Sequence, residues 1–392
     1  MHILHLTPYY APAYPYGGVV RSVEAMTRTL AERGHRVTVL TTDTFSRQLR
    51  YEGPADEDYY GLGIRVIRRP NVIPWLRAKV NLSTPRSMKR TAQLHLQSAD
   101  ILHIHEFRTL ENLLVTPVAH RLNVPIVLSP HGTLNQDTGR GLLKSVWDRL
   151  LGAGVALRID HVLALTEAEF AESRTLWQTF GRRHAPTTFS VVPNGLRLDE
   201  IAGGPSIADS YSMLHMDERP TVAYLGRLQA RKRIDILIKA FRAADVAGSR
   251  LIIAGPDEGV MASLEALARG DERIIFTGYI GGEARLAVLN VSDVFALPAT
   301  GEGQPMAVLE AMASNLPVVL SPGCNMDEVA PFGAGFVVEP TVDAFAEKLR
   351  LLLTDDALRR KMGQRARQLV EERYAWDEIV TRLEDVYARL LN

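Results

Sequence analysis

Residues 292–320, SDVFALPATGEGQPMAVLEAMASNLPVVL, determine the fold class of this chain. The apolar run Val294–Leu297 has the length of a buried strand, and the glycine-containing segment 298–304 has the composition of a loop. Pro305 suits the start of a helix, because the first helical position needs no backbone N–H. A second apolar run, residues 316–320, predicts the next strand. Strand, loop, helix and strand in this order are typical of a parallel α/β sheet.

The junction between this strand and this helix has the features of an anion site. A helix N-terminus presents unpaired N–H groups and a partial positive charge of about half a unit, which suits phosphate. Glu302 lies in the loop and Glu310 lies in the helix, and a carboxylate can accept from both hydroxyls of a vicinal diol. A phosphate site flanked by two acids that can each bind a diol predicts a nucleotide-sugar site. The alternative is a solvated loop acid beside a surface helix acid.

The N-terminal half holds two further candidate segments. Gly17 and Gly18 lie between a predicted strand, His2–Leu6, and a predicted helix. Backbone without a side chain can approach a ligand there, although such pairs also simply form turns. His131 follows the predicted strand 125–129, at the edge where open α/β sheets bind ligands. A lone histidine is more often structural, so both interpretations stay open.

The C-terminal half repeats the pattern. Arg227 and Lys232 lie between a predicted strand, Thr221–Leu225, and a predicted helix. Two fixed cations there can neutralise the charge that develops on a departing diphosphate, although basic loop residues are also common without such a role. Tyr279 follows the predicted strand 274–277, at the edge where a nucleotide base would stack.

Length and composition limit the possible number of domains and the class of protein. A chain of 392 residues, 46% hydrophobic and 23% charged, predicts a globular protein of two domains. Lys plus Arg and Asp plus Glu both total 45, which gives no overall attraction to nucleic acid. One cysteine, Cys324, permits no internal disulfide and fits a reducing compartment. Because the sequence shows neither a signal-peptide layout nor a membrane-span pattern, we expect a cytoplasmic protein.

Residues 61–99 carry eight basic side chains and no acid. They suggest either solvated surfaces balanced by the acidic stretch 52–58, or contact with an anionic acceptor or membrane surface. His103 and His105 alternate on one predicted strand and share a face, but no third ligand follows at metal-binding spacing, so we expect no metal. Residues 200–218 are rich in Gly, Ser and Asp and are predicted to be a linker. The G-x-G-x-x-G fingerprint is absent, which argues against a dehydrogenase.

These segments together resemble one known family. The acids Glu302 and Glu310 inside GEGQPMAVLEAMASNLPVV, and Gly226-Arg227-Leu228 followed by Lys232, are similar to the donor site of retaining GT-B glycosyltransferases of the GT4 type, also called glycosyl transferase group 1. The segment 129–134, SPHGTL, matches the place of the family's active-site histidine. The resemblance extends over nearly the whole chain, but it is strong only in 223–235 and 293–319.

The resemblance implies a GT-B fold, in which two Rossmann-like parallel-sheet domains face each other across a cleft. The expected N-terminal, acceptor-side domain is residues 1–200, and the expected nucleotide-sugar domain is residues 201–373. Residues 374–392 would form a helix that crosses back to the first domain. Expected catalytic residues are His131, Glu302, Arg227 and Lys232. Expected donor-binding residues are Gly17, Gly18, Arg227, Lys232, Gly303, Gln304, Met306, Ala307, Val308, Glu310, Tyr279 and Asn194.

The implied reaction is transfer of a hexosyl group from a nucleotide diphospho-sugar to an acceptor hydroxyl, with retention of configuration and without a metal or other cofactor. The alternatives are a GT-B-fold nucleotide-sugar epimerase and a non-catalytic nucleotide-sugar-binding protein. The family usually has Glu-Gly-Phe-Gly where this chain has Glu302-Gly303-Gln304-Pro305, and glycine where it has Arg233. The base, the sugar, the linkage and the acceptor, which can be anionic or lipid-linked, stay open.

Overall fold

The computed structural model describes residues 1–46, 48–134, 141–180 and 187–392. The chain forms two compact units. The first comprises Met1–Gly195 and Trp376–Asn392, and the second comprises Leu196–Ala375. The sequence predicted the corresponding limits after residues 200 and 373. Among the described helices, none combines the length and the apolar character that crossing a bilayer requires.

The first unit is built on a sheet with the strand order β3-β4-β2-β1-β5-β6-β7-β8, in which only the pairing of β3 with β4 is antiparallel. Its strands are β1 (His2–Leu6), β2 (Arg36–Thr42), β3 (Asp56–Tyr59), β4 (Ile64–Arg69), β5 (Ile101–His105), β6 (Ile126–Ser129), β7 (His161–Ala164) and β8 (Thr188–Val191). Its helices before the boundary are α1 (Gly18–Glu32), α2 (Pro74–Val80), α3 (Met88–Leu96), α4 (Leu110–Arg121), α5 (Gly141–Trp147), α6 (Ala153–Ala156) and α7 (Glu167–Thr179), with a π-helical turn, Asp148–Gly152, between α5 and α6.

The second unit is built on a parallel sheet with the order β11-β10-β9-β12-β13-β14. Its strands are β9 (Thr221–Leu225), β10 (Arg250–Ala254), β11 (Ile274–Gly278), β12 (Val294–Leu297), β13 (Val318–Leu320) and β14 (Gly335–Val337). Its helices are α8 (Leu198–Ala202), α9 (Ile207–Leu214), α10 (Ile234–Ala244), α11 (Met261–Ala268), α12 (Gly282–Asn290), α13 (Met306–Ala313), α14 (Val329–Phe332), α15 (Val342–Thr354) and α16 (Asp356–Arg373). The last helix of the chain, α17 (Trp376–Leu391), belongs to the first unit.

Apolar side chains fill both faces of each sheet, as the continuous hydrophobic strands require. In the first unit, one face of the sheet packs against α1 and α17, and the other packs against α3, α4 and α6. Helix α17 contributes buried side chains at helical spacing, among them Trp376, Ile379, Leu383 and Tyr387. Its amphipathic sequence therefore produces an integral part of the first core rather than a detached tail.

One sequence-based expectation was wrong. The predicted linker 200–218 contains helix α9 and part of α8, because Ser206 caps α9 through its side chain at Asp209 N–H. The basic tract is also partly folded into the sheet as β4, where Arg65 and Arg68 form ion pairs with Asp56 and Glu57 of β3. The acidic stretch therefore neutralises two of the basic side chains, as one of the two interpretations of the tract predicted, although Arg68 is buried rather than solvated.

Candidate active site

The candidate donor site of the second unit lies where β9 and β12 end. These neighbouring parallel strands bring the loop after Leu225 and the loop after Leu297 to one edge of the sheet. Thr300 N–H donates to the Arg231 carbonyl at 2.9 Å, and Arg231 Nη1 donates to the Gly301 carbonyl at 2.6 Å. The two loops are therefore held together by hydrogen bonds, and the functional side chains on them form one group.

Glu302 is at the centre of this group. Its side chain is 8% exposed, and Lys232 Nζ lies 2.7 Å from its Oε2. Arg231 Nη1 lies 3.6 Å from its Oε1. Burial raises the pKa of Glu302, but the attraction of Lys232, Arg231 and Arg227 more than offsets burial and holds that pKa below the usual value. Glu302 is therefore a carboxylate at neutral pH and faces a cationic loop.

Arg227 is held at the same edge by a different acid. Its Nη1 lies 3.1 Å from Glu258 Oε1, and Gln229 Nε2 also donates to the Glu258 carboxylate. The Arg227 side chain is 31% exposed, whereas Lys232 is buried. The pair of cations predicted from the sequence thus consists of one accessible guanidinium and one buried ammonium, each oriented by its own carboxylate.

Close packing of two loops at this edge explains a pair of glycines. A side chain at Gly255 would place its Cβ 1.8 Å from the Gly226 carbonyl oxygen. Both residues also have positive φ angles, +152° for Gly226 and +153° for Gly255, which glycine alone adopts readily. The loop that carries Arg227 can therefore approach the loop that carries Glu258 only because position 255 lacks a side chain.

Helix α13 begins directly after the acidic loop. Pro305 is its N-cap residue, so the helix starts at Met306, one residue later than the sequence pattern indicated. Gln304 and Met306 are nearly buried, and the Val308 side chain belongs to the core. The Val308 N–H already donates to the Pro305 carbonyl at 3.0 Å, so this predicted donor-binding residue has no backbone donor left for a ligand.

Glu310 lies inside helix α13 and is 3% exposed. It forms an ion pair with Arg285 of α12, a residue that the sequence did not single out. This contact rules out the interpretation of Glu310 as a surface acid. Gly303 lies in the loop before α13, and Ala307 lies in its first turn. Tyr279, 47% exposed, follows the edge strand β11, two strands away from β9.

The remaining predicted residues lie in the first unit. Gly17 has a φ of +92° and caps helix α1, whose first residue is Gly18. Asn194 is buried, and Ser22 of α1 donates to its Oδ1 at 2.5 Å. The structure thus connects Asn194 to the start of the helix that Gly17 and Gly18 begin, a contact between residues far apart in the chain.

His131 follows β6 in a left-handed backbone conformation with a φ of +56°, and it is 8% exposed. Glu169 holds this turn, because Gly132 N–H donates to its Oε1 at 2.5 Å and Leu165 N–H donates to its Oε2 at 2.7 Å. Burial raises the pKa of Glu169 to about 7 and lowers the pKa of His131 to about 4. His131 is therefore a neutral imidazole at pH 7, able to donate or accept one hydrogen bond but not to supply a charge.

Some residues of these networks were not predicted as site residues. Arg231, Gln229, Glu258 and Arg285 orient the predicted ones in the second unit, and Glu169 does so in the first. Arg231 and Gln229 had a sequence signal, since both lie in the same loop as Arg227 and Lys232. The others act through contacts between segments that are separated in the chain.

Comparison with known proteins agrees with this arrangement. The model of the family Glycosyltransferase Family 4 matches residues 16–200, and the model of Glycosyl transferases group 1 matches residues 210–369. An uncharacterised glycosyltransferase of Methanocaldococcus jannaschii is 24% identical over 404 residues, covering 99% of this chain and 98% of that protein. A GDP-mannose-dependent phosphatidylinositol monomannoside mannosyltransferase of Mycobacterium tuberculosis is 26% identical over 380 residues, with 92% of each chain covered.

The solved structure of Anabaena HepE in complex with UDP-glucose has the same fold, with a TM-score of 0.75 at 18% identity over 99% of this chain and all of that one. The two family models together extend over most of the sequence, and each falls largely on one structural unit. With two parallel-sheet α/β domains of GT-B type and matches in both, the chain belongs to the group 1, GT4-like glycosyltransferases.

Proposed function

We propose that this glycosyltransferase moves a hexosyl group from a nucleotide diphospho-sugar to an acceptor hydroxyl, with retention of configuration. The observation that carries the proposal is the group formed by Arg227, Lys232 and Glu302 at the end of β9 and β12. Anabaena HepE, which shares the fold, binds UDP-glucose. In this proposal, Arg227 and Lys232 bind the diphosphate of the donor, and the Glu302 carboxylate accepts a hydrogen bond from a sugar hydroxyl.

In the proposed step, the bond between the anomeric carbon and the diphosphate oxygen breaks, and the electron pair leaves with the diphosphate. Arg227 and Lys232 stabilise this charge as it develops. The acceptor hydroxyl then forms the new bond on the same face of the sugar, and its proton passes to the departing phosphate oxygen. We propose that no metal is required, because the two cations already provide positive charge at that position.

Glu310, on helix α13, is the proposed acceptor for the ribose hydroxyls. Its carboxylate is buried and is held in position by an ion pair with Arg285. Met306 and Ala307 would offer backbone N–H groups to the diphosphate. Tyr279 is the proposed contact of the base, and Gly17, Gly18, Asn194 and His131 are the proposed contacts from the first unit. The non-catalytic alternative differs by predicting binding without turnover.

Thermal stability in the presence of nucleotides tests the donor class. Unfolding is measured with UDP, GDP, ADP and their sugar conjugates in the presence of EDTA. A ligand at 100 times its dissociation constant adds about 2.7 kcal/mol to stability, which is readily visible in the melting temperature. Stabilisation by one nucleotide series supports the proposal and its metal independence. Stabilisation only in the presence of a divalent cation would contradict the metal-free mechanism.

We also propose that the protein is cytoplasmic and binds peripherally to an anionic membrane surface, where the acceptor is presented. Exposed apolar side chains concentrate on two segments of the first unit, one within the basic tract 61–99 and one on α5 and the π-helical turn. They are Val72, Ile73, Trp75 and Val80 in the first segment, and Leu142, Leu143, Val146, Leu150 and Leu151 in the second. The Mycobacterium tuberculosis relative acts on a phosphatidylinositol monomannoside.

Both segments are attached near the N-terminal end of helix α4. Ser83, just after α2, donates to Glu111 in the first turn of α4, and Arg108, just before α4, pairs with Asp148 at 2.7 Å. Exposed cations accompany the apolar side chains, namely Lys79, Arg86, Lys89, Arg90 and Arg149. Each basic side chain near an anionic bilayer contributes about 1 kcal/mol, and inserted apolar side chains add to this attraction.

Vesicle flotation tests the membrane contact. The protein should float with vesicles that contain phosphatidylglycerol and should bind less to vesicles of phosphatidylcholine alone. Trp75→Ser and Leu150→Ser, at positions 60% and 72% exposed, should reduce this binding. Ile207→Ser is the matched control, because Ile207 is 63% exposed but lies on α9 of the second unit. Equal binding by all three variants would refute the proposed surface.

A further inference from the structure

Four histidines lie together in the interior of the first unit. The register pairs His5 of β1 with His103 of β5, and it pairs His105 with Ser129 of β6, two residues before His131. Because alternate residues of a strand share a face, His5, His103 and His105 all project from the same side of the sheet. The first three are fully buried, and His131 is 8% exposed.

Three of these rings form a hydrogen-bonded chain. His131 Nε2 lies 2.9 Å from His105 Nδ1, and His105 Nε2 lies 3.0 Å from His5 Nδ1. The planes of His5 and His105 differ by 9°, with centroids 5.3 Å apart, so these rings meet edge to edge. His103 packs against this chain but does not belong to it, because its nitrogens bond to Tyr387 and Ser129 at 2.7 and 2.8 Å.

Burial keeps the chain uncharged. It lowers the pKa of His5 to about 3 and of His131 to about 4, and it holds the pKa of His105 well below its usual value. A neutral imidazole carries a single N–H, and each link needs one donor and one acceptor. Only two proton arrangements satisfy both links. In one, all three protons are on Nε2, and in the other, all three are on Nδ1.

The two arrangements differ at the ends of the chain. Within the described part of the structure, His5 Nε2 and His131 Nδ1 are buried without a hydrogen-bond partner. The first arrangement leaves an unpaired N–H at His5, in the fully buried interior. The second leaves it at His131, just past the end of β6. Each arrangement leaves one buried N–H unpaired, but His5 is fully buried, whereas His131 is 8% exposed at the edge of the sheet. The second arrangement is therefore favoured, because solvent or a ligand can reach an N–H at that edge.

We propose that His105 and His5 are positioning residues that hold the proton of His131 on Nδ1. His131 then offers an N–H donor, rather than a lone pair, to an oxygen of a bound ligand. The ligand in this statement rests on the proposed function, but the proton arrangement does not. An oxygen atom of a bound ligand would accept the hydrogen bond from His131 Nδ1–H. It would thereby also stabilise the protons on Nδ1 of His105 and of His5.

A metal ion is the alternative occupant of this histidine cluster. His5, His103 and His105 can each offer one nitrogen so that the three nitrogens lie within 4.8 Å of one another. The hydrogen bonds already account for five of the six nitrogens of these rings. A proton between two nitrogens excludes a metal ion from the same position. The two explanations therefore make opposite predictions for protein treated with EDTA.

Nuclear magnetic resonance of protein with labelled histidine tests the proton arrangement without a ligand. In EDTA-treated wild-type protein at pH 7, His5, His105 and His131 should all be Nδ1–H tautomers. His5→Leu removes the end of the chain and should give His131 a mixed or Nε2–H state. His5→Asn places an amide donor at the position of Nδ1 and should restore the Nδ1–H tautomer. His103→Asn is the matched control, because His103 lies opposite His5 on the neighbouring strand and on the same face of the sheet, and it should leave the tautomers unchanged.

An Nε2–H tautomer of His131 in the wild type would overturn the proposal, and so would a pattern that EDTA treatment abolishes. The kinetic readout is hydrolysis or transfer of the sugar nucleotide that stabilises the protein in the melting experiment. His5→Leu should lower kcat/KM about three- to tenfold, as expected for loss of one hydrogen bond, and His5→Asn should restore it. A wild-type protein that binds no sugar nucleotide contradicts the proposed function, but it leaves the tautomer result to decide this inference.

Discussion

Replacing Lys232 with methionine should reverse the way in which Glu302 makes stability depend on pH. In the wild type, the folded-state pKa of Glu302 lies below its ordinary value of 4.5. The carboxylate therefore stabilises the folded state above about pH 4.5, and this contribution is lost as the pH falls through the lowered pKa. Methionine preserves the length and the packing of the lysine side chain but removes the ammonium that lies 2.7 Å from Oε2.

The size of the effect follows from the geometry. At 2.7 Å and an effective dielectric constant of about 20, the attraction is about 6 kcal/mol before desolvation is counted. Breaking a buried pair by removing one partner costs about 3–5 kcal/mol. Glu302 then keeps Arg231 at 3.6 Å but stays buried, so we expect its pKa to rise above 4.5.

The sign of the linkage is then opposite. With a folded-state pKa above the unfolded value, ionisation of Glu302 destabilises the variant progressively as the pH rises from about 4.5 to the new pKa. The penalty of Lys232→Met should therefore be about 1–3 kcal/mol larger at pH 7.5 than at pH 5. At about 2–4 °C per kcal/mol for a unit of this size, the difference in melting temperature should be about 2–12 °C.

The assay is thermal unfolding of the wild type and Lys232→Met at both pH values, repeated in a Glu302→Gln background. Glutamine does not ionise, so the pH-dependent part of the penalty should disappear in the double variant. A Lys232→Met penalty that is equal at pH 5 and pH 7.5 would refute the reasoning. A pH-dependent penalty that persists in the Glu302→Gln background would also refute it, because the titrating group would then be another residue.

The other predictions concern the nucleotide site and the buried thiol. Arg227→Ala should lower turnover by roughly 10²–10³, the effect of removing one fixed charge from the transition state, and a rate within threefold of the wild type would contradict that role. Glu310→Gln should weaken nucleotide binding by about 10- to 100-fold, because the ribose loses a charged acceptor; unchanged affinity by calorimetry would exclude it. Cys324 is buried with a pKa raised to about 11, so iodoacetamide at pH 8 should modify it only in urea, and rapid modification of the native protein would show that the thiol is accessible.

The sequence alone determined the fold class and the reactive ends of the strands. Continuous apolar runs such as Val294–Leu297 and Thr221–Leu225 coincide with β12 and β9, because a strand buried on both faces must be apolar throughout. Because the strands of a parallel sheet run in the same direction, the loops that follow them lie at the same edge of the sheet. Arg227, Lys232 and Glu302 could therefore be assigned to one edge, and there the structure pairs Lys232 with Glu302 and Arg227 with Glu258.

The tertiary structure decided what each of those residues contacts. Glu258 and Arg285 orient the predicted residues from loops and helices distant in the chain, and residues 200–218 form helices where composition suggested a linker. The histidines show most clearly which contacts the sequence alone does not predict. His5, His105 and His131 are separated by many residues, and each alone is an ordinary strand-end histidine. Only the register of β1, β5 and β6 brings their nitrogens within 3.0 Å, because hydrogen bonds depend on positions in space that local sequence patterns do not encode.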